Sequence, residues 1–223
     1  MNQMHEFSVV GGTAKGYLAI PESGTGPGVV VIHAWWGLTE FFKTVCQRLA
    51  KEGFVALAPD LYHGATASTI DEAKRLRSAM DRNVTNKELK AAVDYLCSHP
   101  AVSGSHVGLI GFSLGGHLAL WLARNKPQEV AAVVVFYGTG GGSFAKVQAA
   151  FLGHFAEKDP YASAKSVQKL EERLRSAGRE VAFHVYPGTG HWFLEEDRPD
   201  AYNADAAHLA WERTVEFLQA RLE

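Results

Sequence analysis

Val107-Gly108-Leu109-Ile110-Gly111-Phe112-Ser113-Leu114-Gly115-Gly116-His117-Leu118-Ala119-Leu120-Trp121-Leu122-Ala123-Arg124 is the stretch whose reading decides the architecture. Residues 107–110 are an apolar run of the kind found in a buried strand, and residues 117–124 have the make-up of a helix. Between them stands Gly-x-Ser-x-Gly, and that pattern set between a strand and a helix is the signature of a nucleophile elbow. The chemistry explains the spacing. A serine hydroxyl can attack a carbonyl only if it stands clear of the backbone, so the chain must turn sharply there. The turn brings positions 111 and 115 together, where only side chains of near-zero size fit. The N–H of Leu114, at the start of the helix, is then placed to face a forming oxyanion. The competing reading is an ordinary glycine-rich turn with Ser113 as helix N-cap; the strand before and the helix after favour the elbow.

Working outward, strand and helix patterns alternate. Residues 7–10 and 16–20 alternate in polarity around Gly11-Gly12 and predict an antiparallel hairpin. Residues 29–32, Val-Val-Val-Ile, predict a strand covered on both faces. Residues 41–52 predict a helix closed by Gly53, followed by a strand at 54–58 that Pro59 stops. Helices are expected over 70–80 and 86–98, strands over 130–137 and 147–155, a helix over 162–177, a strand over 181–186 and a terminal helix over 200–222. Such alternation indicates βαβ units and a mostly parallel sheet, with right-handed crossovers.

The bulk properties bound the function. A chain of 223 residues fits one α/β domain, 1–223. With 47% hydrophobic and 21% charged residues it can build a large core and is not a disordered chain. The formal net charge of -2 offers no basic field, so neither nucleic acid nor an anionic membrane is an expected partner. No stretch approaches the ~20 apolar residues of a membrane helix. Cys46 and Cys97 read as buried small hydrophobes, and two free thiols with no apolar leader point to the cytoplasm. Gly138-Thr139-Gly140-Gly141-Gly142 lacks the Walker lysine and the GxGxxG spacing, so it reads as a loop at the sheet's carboxyl edge rather than a phosphate cradle.

A serine needs an imidazole to take its proton and a carboxylate to hold that imidazole. Downstream of an elbow the expected order is acid, then histidine, each on a loop after a later strand. Of the late histidines, His154 and His184 lie in strand runs and His208 in the terminal helix. His191 stands in the glycine-rich loop after the last strand and is the candidate base. Asp159 and Glu157 both follow the strand ending near residue 155; Asp159, just before Pro160, is preferred, with a helix N-cap as its competing role. Asp60 comes too early in the chain and is expected to brace the loop Pro59-Asp60-Leu61-Tyr62. The second oxyanion donor should come from the loop after residues 29–32, which selects the Trp35 backbone N–H.

These residues together resemble the dienelactone hydrolase family of α/β-hydrolases. The resemblance runs from about 16 to 218 and rests on Val29-Val30-Val31-Ile32-His33-Ala34-Trp35-Trp36-Gly37, Ala58-Pro59-Asp60-Leu61-Tyr62, residues 108–116, Asp159 and Gly190-His191-Trp192-Phe193. It implies a compact α/β-hydrolase fold with helices on both faces and no large lid, a triad of Ser113, Asp159 and His191, and no metal or organic cofactor. Family members that open dienelactone resemble this chain but carry cysteine at 113, glutamate at 34 and arginine at 195; this chain has Ser113, Ala34 and Glu195. The charge of Glu195 would repel a substrate carboxylate. The expected substrate is therefore a small neutral or apolar ester or lactone, in a pocket lined by Trp35, Trp36, Phe41, Tyr62, Tyr137 and Trp192. A thioesterase or a peptidase would use the same three residues, and a non-catalytic binding protein could share the fold. The chain is expected to act as a monomer or homodimer.

Overall fold

The computed structural model describes residues 2–222; the first and last positions of the expected 1–223 domain lie outside them. Among the described residues the elements run β1 (Asn2–Val9), β2 (Gly12–Ala19), β3 (Gly26–Ile32), α1 (Glu40–Lys51), β4 (Val55–Pro59), α2 (Ile70–Ala79), α3 (Arg82–Ser98), β5 (Val102–Phe112), α4 (Leu114–Asn125), β6 (Val130–Phe136), β7 (Ala150–Lys158), α5 (Ala164–Ser176), β8 (Val181–Gly190) and α6 (Ala204–Leu222). The strands form one sheet in the order β1-β2-β4-β3-β5-β6-β7-β8. β1 pairs with β2, and β2 with β4, antiparallel. Every pairing from β4 across to β8 is parallel. The architecture is the expected one: an α/β-hydrolase fold, mostly parallel with an antiparallel N-terminal hairpin, and without a large lid.

Strand alternation distributes the apolar residues between two layers. Val29 and Val31 of β3 join Ile110 and Phe112 of β5 in a core closed by α1 and α6, while Val30 and Ile32 join Leu109 in a core closed by α3, α4 and α5. Because both faces are covered, the central strands are apolar at nearly every position, which is why residues 29–32 and 130–136 read as continuous hydrophobic runs.

Several boundaries differ from expectation for physical reasons. Val9 pairs with Gly12, so the hairpin turn is Val10-Gly11, with Gly11 at φ 93°, rather than Gly11-Gly12. β7 starts at Ala150 rather than 147; Val147 is buried in a turn against Phe144, so its apolarity reports burial and not a ladder position. α6 starts at Ala204 rather than 200, where the Asn203 side chain accepts from the Ala206 N–H at 3.0 Å and caps the first turn. β8 continues past Tyr186 to Gly190. Cys46 is buried, whereas Cys97, in the last turn of α3, is only partly covered, with its Sγ 3.9 Å from the Ser105 carbonyl.

One buried polar chain crosses the α6 layer. The Thr214 hydroxyl donates to the Ala210 carbonyl at 2.8 Å, so its oxygen is left to accept from His154 Nε2–H at 3.1 Å. His154 Nδ1 then accepts from the Tyr186 hydroxyl at 2.8 Å, and Arg213 donates to that hydroxyl oxygen at 3.2 Å. Burial, with His184 and Arg213 nearby, holds the His154 imidazole well below its usual value, so it stays neutral. Unfolding restores an ordinary imidazole of pKa ~6.5. The stability this group contributes is therefore complete above about pH 6.5 and is lost as pH falls below it. The urea midpoint is expected to drop between pH 7.5 and 5.5, and His154→Gln should show a shallower drop over the same interval. An unchanged acid slope in the variant would contradict this assignment.

Candidate active site

The site stands at the carboxyl ends of the parallel strands, where β5 gives way to α4. Ser113 has φ 52° and ψ -108°, a conformation that L-residues rarely occupy. It is held there by its N–H bonding the Phe136 carbonyl at 2.9 Å and by its own carbonyl accepting from Gly116 at 3.0 Å. The glycines are required by contact. A Cβ on Gly111 would stand 2.2 Å from the Gly115 carbonyl oxygen, and one on Gly115 would stand 2.1 Å from that of Ile32. Ser113 is the residue before α4, yet its side chain makes no capping bond. The hydroxyl is instead 2.8 Å from His191 Nε2.

Strand register delivers the other two groups. Lys158 of β7 pairs with Gly190 of β8, so the next residue of each strand, Asp159 and His191, leaves the sheet side by side. Asp159 Oδ2 accepts from His191 Nδ1–H at 2.7 Å. Its Oδ1 accepts from the Tyr161 and Ala162 N–H groups, both at 2.8 Å. The acid thus meets the histidine with one oxygen and braces its own loop with the other; α5 has its own cap, Ser163. Both side chains are almost fully enclosed, at 3% and 2% exposure for His191 and Asp159. Desolvation raises the Asp159 carboxyl, but the bond and charge of His191 and the two N–H groups outweigh it, and the net displacement is downward. Glu157 lies apart from this pair, its Oε2 accepting from the Gly188 N–H at 3.0 Å.

Ser113, His191, Trp35 and Leu114 line one cavity of about 240 Å³, together with Arg77, His117, Tyr137, Gly138, Thr139 and Tyr161. Leu114 is the first residue of α4, so its N–H has no acceptor within the helix. Of the expected pocket residues, Trp35 and Tyr137 are in this cavity and four are not. Phe41 is in the core against Phe42 and Phe112, and Tyr62 packs on His33. Trp36 and Trp192 line a neighbouring cavity of about 660 Å³ that shares only Tyr161 and His191 with the first. Trp35 and Trp36 stand in the turn after β3 and open onto different cavities, whereas His191 lines both. His117, Tyr161, Thr139 and Arg77 escaped the sequence reading. His117 had a signal, being one helical turn beyond Ser113; Tyr161 had one in its place on the Asp159 loop. Arg77, near the end of α2, had none. The loop that begins at Gly138 is packed: a Cβ there would stand 2.7 Å from the Ser113 carbonyl oxygen, and His117 Nδ1–H donates to the Thr139 carbonyl at 3.2 Å.

Asp60 braces its loop as expected, accepting from the Tyr62 and Gly64 N–H groups at 3.3 and 2.6 Å. Glu195 overturns its expected role. It is completely buried behind the site and faces no substrate space. The Tyr137 hydroxyl donates to its Oε1 at 2.8 Å, and the other face of that tyrosine's surroundings is His191, whose ring centre is 4.8 Å from the tyrosine ring. Burial pushes the Glu195 carboxyl up to about 8, against the opposing pull of Tyr137 and Arg198.

The fold and this edge of the sheet define an α/β-hydrolase. The comparisons narrow the class. The profile of the dienelactone hydrolase family matches residues 14–222. "Protein usf" of Aquifex pyrophilus is 39% identical with all of each chain covered. A Bradyrhizobium chain named "Probable 2-oxo-3-(5-oxofuran-2-ylidene)propanoate lactonase" is 34% identical over 92% of this chain and 89% of its own. Among solved structures, a dienelactone hydrolase-like promiscuous phosphotriesterase from metagenomic libraries superposes with a TM-score of 0.88 at 23% identity, covering 100% of this chain and 99% of that one. The chain belongs to the dienelactone hydrolase family, a family of hydrolases. No helix among the described residues is long and apolar enough to cross a membrane.

Glu195 supplies a test of the site's interior. Its folded value, about 8, lies above the ~4.3 of a free glutamate. The stability it contributes is complete below about pH 4.3 and is lost as pH rises through 8. Glu195→Gln should flatten the fall in thermal midpoint between about pH 5 and 8; a variant that tracks the parent across that range would contradict a buried acid that holds its proton.

Proposed function

We propose that the protein hydrolyses small carboxylic esters or lactones through a serine acyl-enzyme. The observation that carries this reading is the continuous chain Ser113 Oγ–His191 Nε2–Asp159 Oδ2, at 2.8 and 2.7 Å. With Nδ1–H committed to Asp159, Nε2 is free to accept the serine proton. Oγ attacks the acyl carbon and its proton passes to Nε2. The carbonyl oxygen takes negative charge toward the Trp35 and Leu114 N–H groups. Collapse expels the alcohol, which takes the proton from Nε2, and leaves the acyl group on Ser113. Water then repeats the sequence with His191 as base, and the carboxylic acid departs. None of these steps calls for a metal or an organic cofactor.

The cavity of about 240 Å³ suits a small acyl group. Its charge argues for more than a neutral substrate. Among the described residues that line the cavity there is no carboxylate, Asp159 behind it is already paired with His191, and Arg77 is part of the lining. The lactonase relative is named for a lactone carrying a propanoate. We therefore read the favoured substrate as an ester or lactone with a carboxylate near the reacting carbonyl. Action in the cytoplasm, as monomer or homodimer, is part of the same reading and rests on composition alone.

Ser113→Ala is expected to lower p-nitrophenyl acetate hydrolysis by roughly a thousandfold or more, and a fluorophosphonate probe should label the parent at Ser113. Retained activity in the variant would refute the acyl-enzyme at Ser113, and a parent that neither turns over the ester nor takes the probe would be an inert hydrolase fold. For specificity, kcat/KM should be compared for a methyl ester and its analogue bearing a free carboxylate. Arg77→Gln should cost the charged substrate roughly three- to tenfold relative to the neutral one, the worth of one partly exposed charge pair. Equal losses on both would sink the role given to Arg77.

A further inference from the structure

We propose that His33 is a positioning residue that sets the direction of the oxyanion donor at Trp35. The inference rests on the acyl-enzyme reading above and adds a residue outside the proton relay. His33 follows β3 and is buried, and both of its ring nitrogens are engaged. Nε2 accepts from the Leu61 N–H at 3.3 Å. An amide N–H can only donate, so the ring proton is on Nδ1. Nδ1 stands 2.6 Å from the Ala34 carbonyl oxygen and donates to it.

That carbonyl belongs to the peptide unit that carries the Trp35 N–H. The unit is planar and trans, so its N–H points opposite to its C=O. An imidazole that grips the oxygen therefore fixes the donor on the other side. The Gly37 N–H adds a second bond to the same oxygen at 3.3 Å. The ring itself cannot swing, being packed against Tyr62 at 5.3 Å and Phe42 at 6.1 Å between ring centres. Burial lowers the His33 imidazole below its usual value, against the Ala34 bond and the charge of Asp60, which keeps Nε2 unprotonated and able to accept. The Asp60 carboxylate is turned to the N–H groups of Tyr62 and Gly64. In an oxyanion site the stabilisation comes from donors already aimed before charge develops, and a two-bond imidazole brace provides that aim.

Two amide substitutions separate aiming from mere filling of the core. Asparagine places an N–H donor where Nδ1 was and can still hold the Ala34 carbonyl. Glutamine reaches the position of Nε2 and leaves that carbonyl without its imidazole donor. His33→Gln should lower kcat by roughly a hundredfold, the scale of one lost oxyanion donor, with KM within about twofold. His33→Asn should stay within about tenfold of the parent. Wild-type kcat in His33→Gln, or equal losses in the two variants, would overturn the proposal. Ser113→Ala distinguishes the layers: an inactive Ser113→Ala beside a fully active His33→Gln removes the brace and keeps the acyl-enzyme, whereas an active Ser113→Ala removes both. If either amide variant fails to fold, the parent protein decides. A long-range proton–nitrogen NMR spectrum should show His33 as the Nδ1–H tautomer, and an Nε2–H tautomer would overturn the proposal.

Discussion

The close contact between the first turn of α4 and the end of β3 is the constraint on which the site depends. Gly115 lies so near the carbonyls of Ile32 and His33 that any side chain would displace the helix. The contact sets the helix start, and with it the Leu114 N–H, beside the loop that carries the Trp35 N–H. It also forces the sharp turn at Ser113, because Gly111 and Gly115 can approach only if the chain doubles back between them. Backbone packing of this kind is stiff. N–H groups carried by two such segments, here those of Leu114 and Trp35, hold their spacing without relying on flexible side chains.

The opposite half of the site is assembled by a different device. β7 and β8 are parallel neighbours, and the pairing of Lys158 with Gly190 carries Asp159 and His191 out of the sheet together. The sheet's register thus places Asp159 and His191 as glycine packing places Ser113. Tyr161 closes the arrangement from outside, its ring 4.8 Å from that of His191 and 5.5 Å from that of Trp35. It stands between the small cavity that holds Ser113 and the larger one beside Trp192.

What could be read from the sequence follows from how local each feature is. The elbow is legible because one turn needs a fixed pattern over five residues, and that pattern is written contiguously. Asp159 and His191 are legible through chain order, since parallel strands bring successive loops to one edge. The cavity lining is not legible in this way. Trp35 and Trp36 are identical in type and adjacent, yet their side chains enter different spaces, and nothing in the residue name records which. Phe41 and Tyr62 are aromatic for the core, and the same composition serves either purpose. Arg77 reaches the cavity from α2, an amphipathic helix whose placement depends on the whole fold. Glu195 misled for the same reason: a carboxylate four residues from the histidine reads as a charge facing the substrate until its burial is seen.

Tyr137 shows what that hidden acid does for the whole. Its backbone is at φ 40°, a region that a bulky residue occupies only when its surroundings insist. Its N–H is held by the His154 carbonyl at 2.8 Å, and its hydroxyl by Glu195 at 2.8 Å. Each partner is a buried titratable residue whose surroundings favour the neutral form. Ionising either would place an uncompensated charge in the enclosure behind Tyr137, whose ring centre lies 4.8 Å from that of His191. The low-dielectric enclosure that strengthens the Asp159–His191 bond therefore carries its own condition: the groups that build the enclosure must themselves stay uncharged. A solvated acid in place of Glu195 would free the tyrosine hydroxyl, open the back of the site to water and weaken the pairing it now shields.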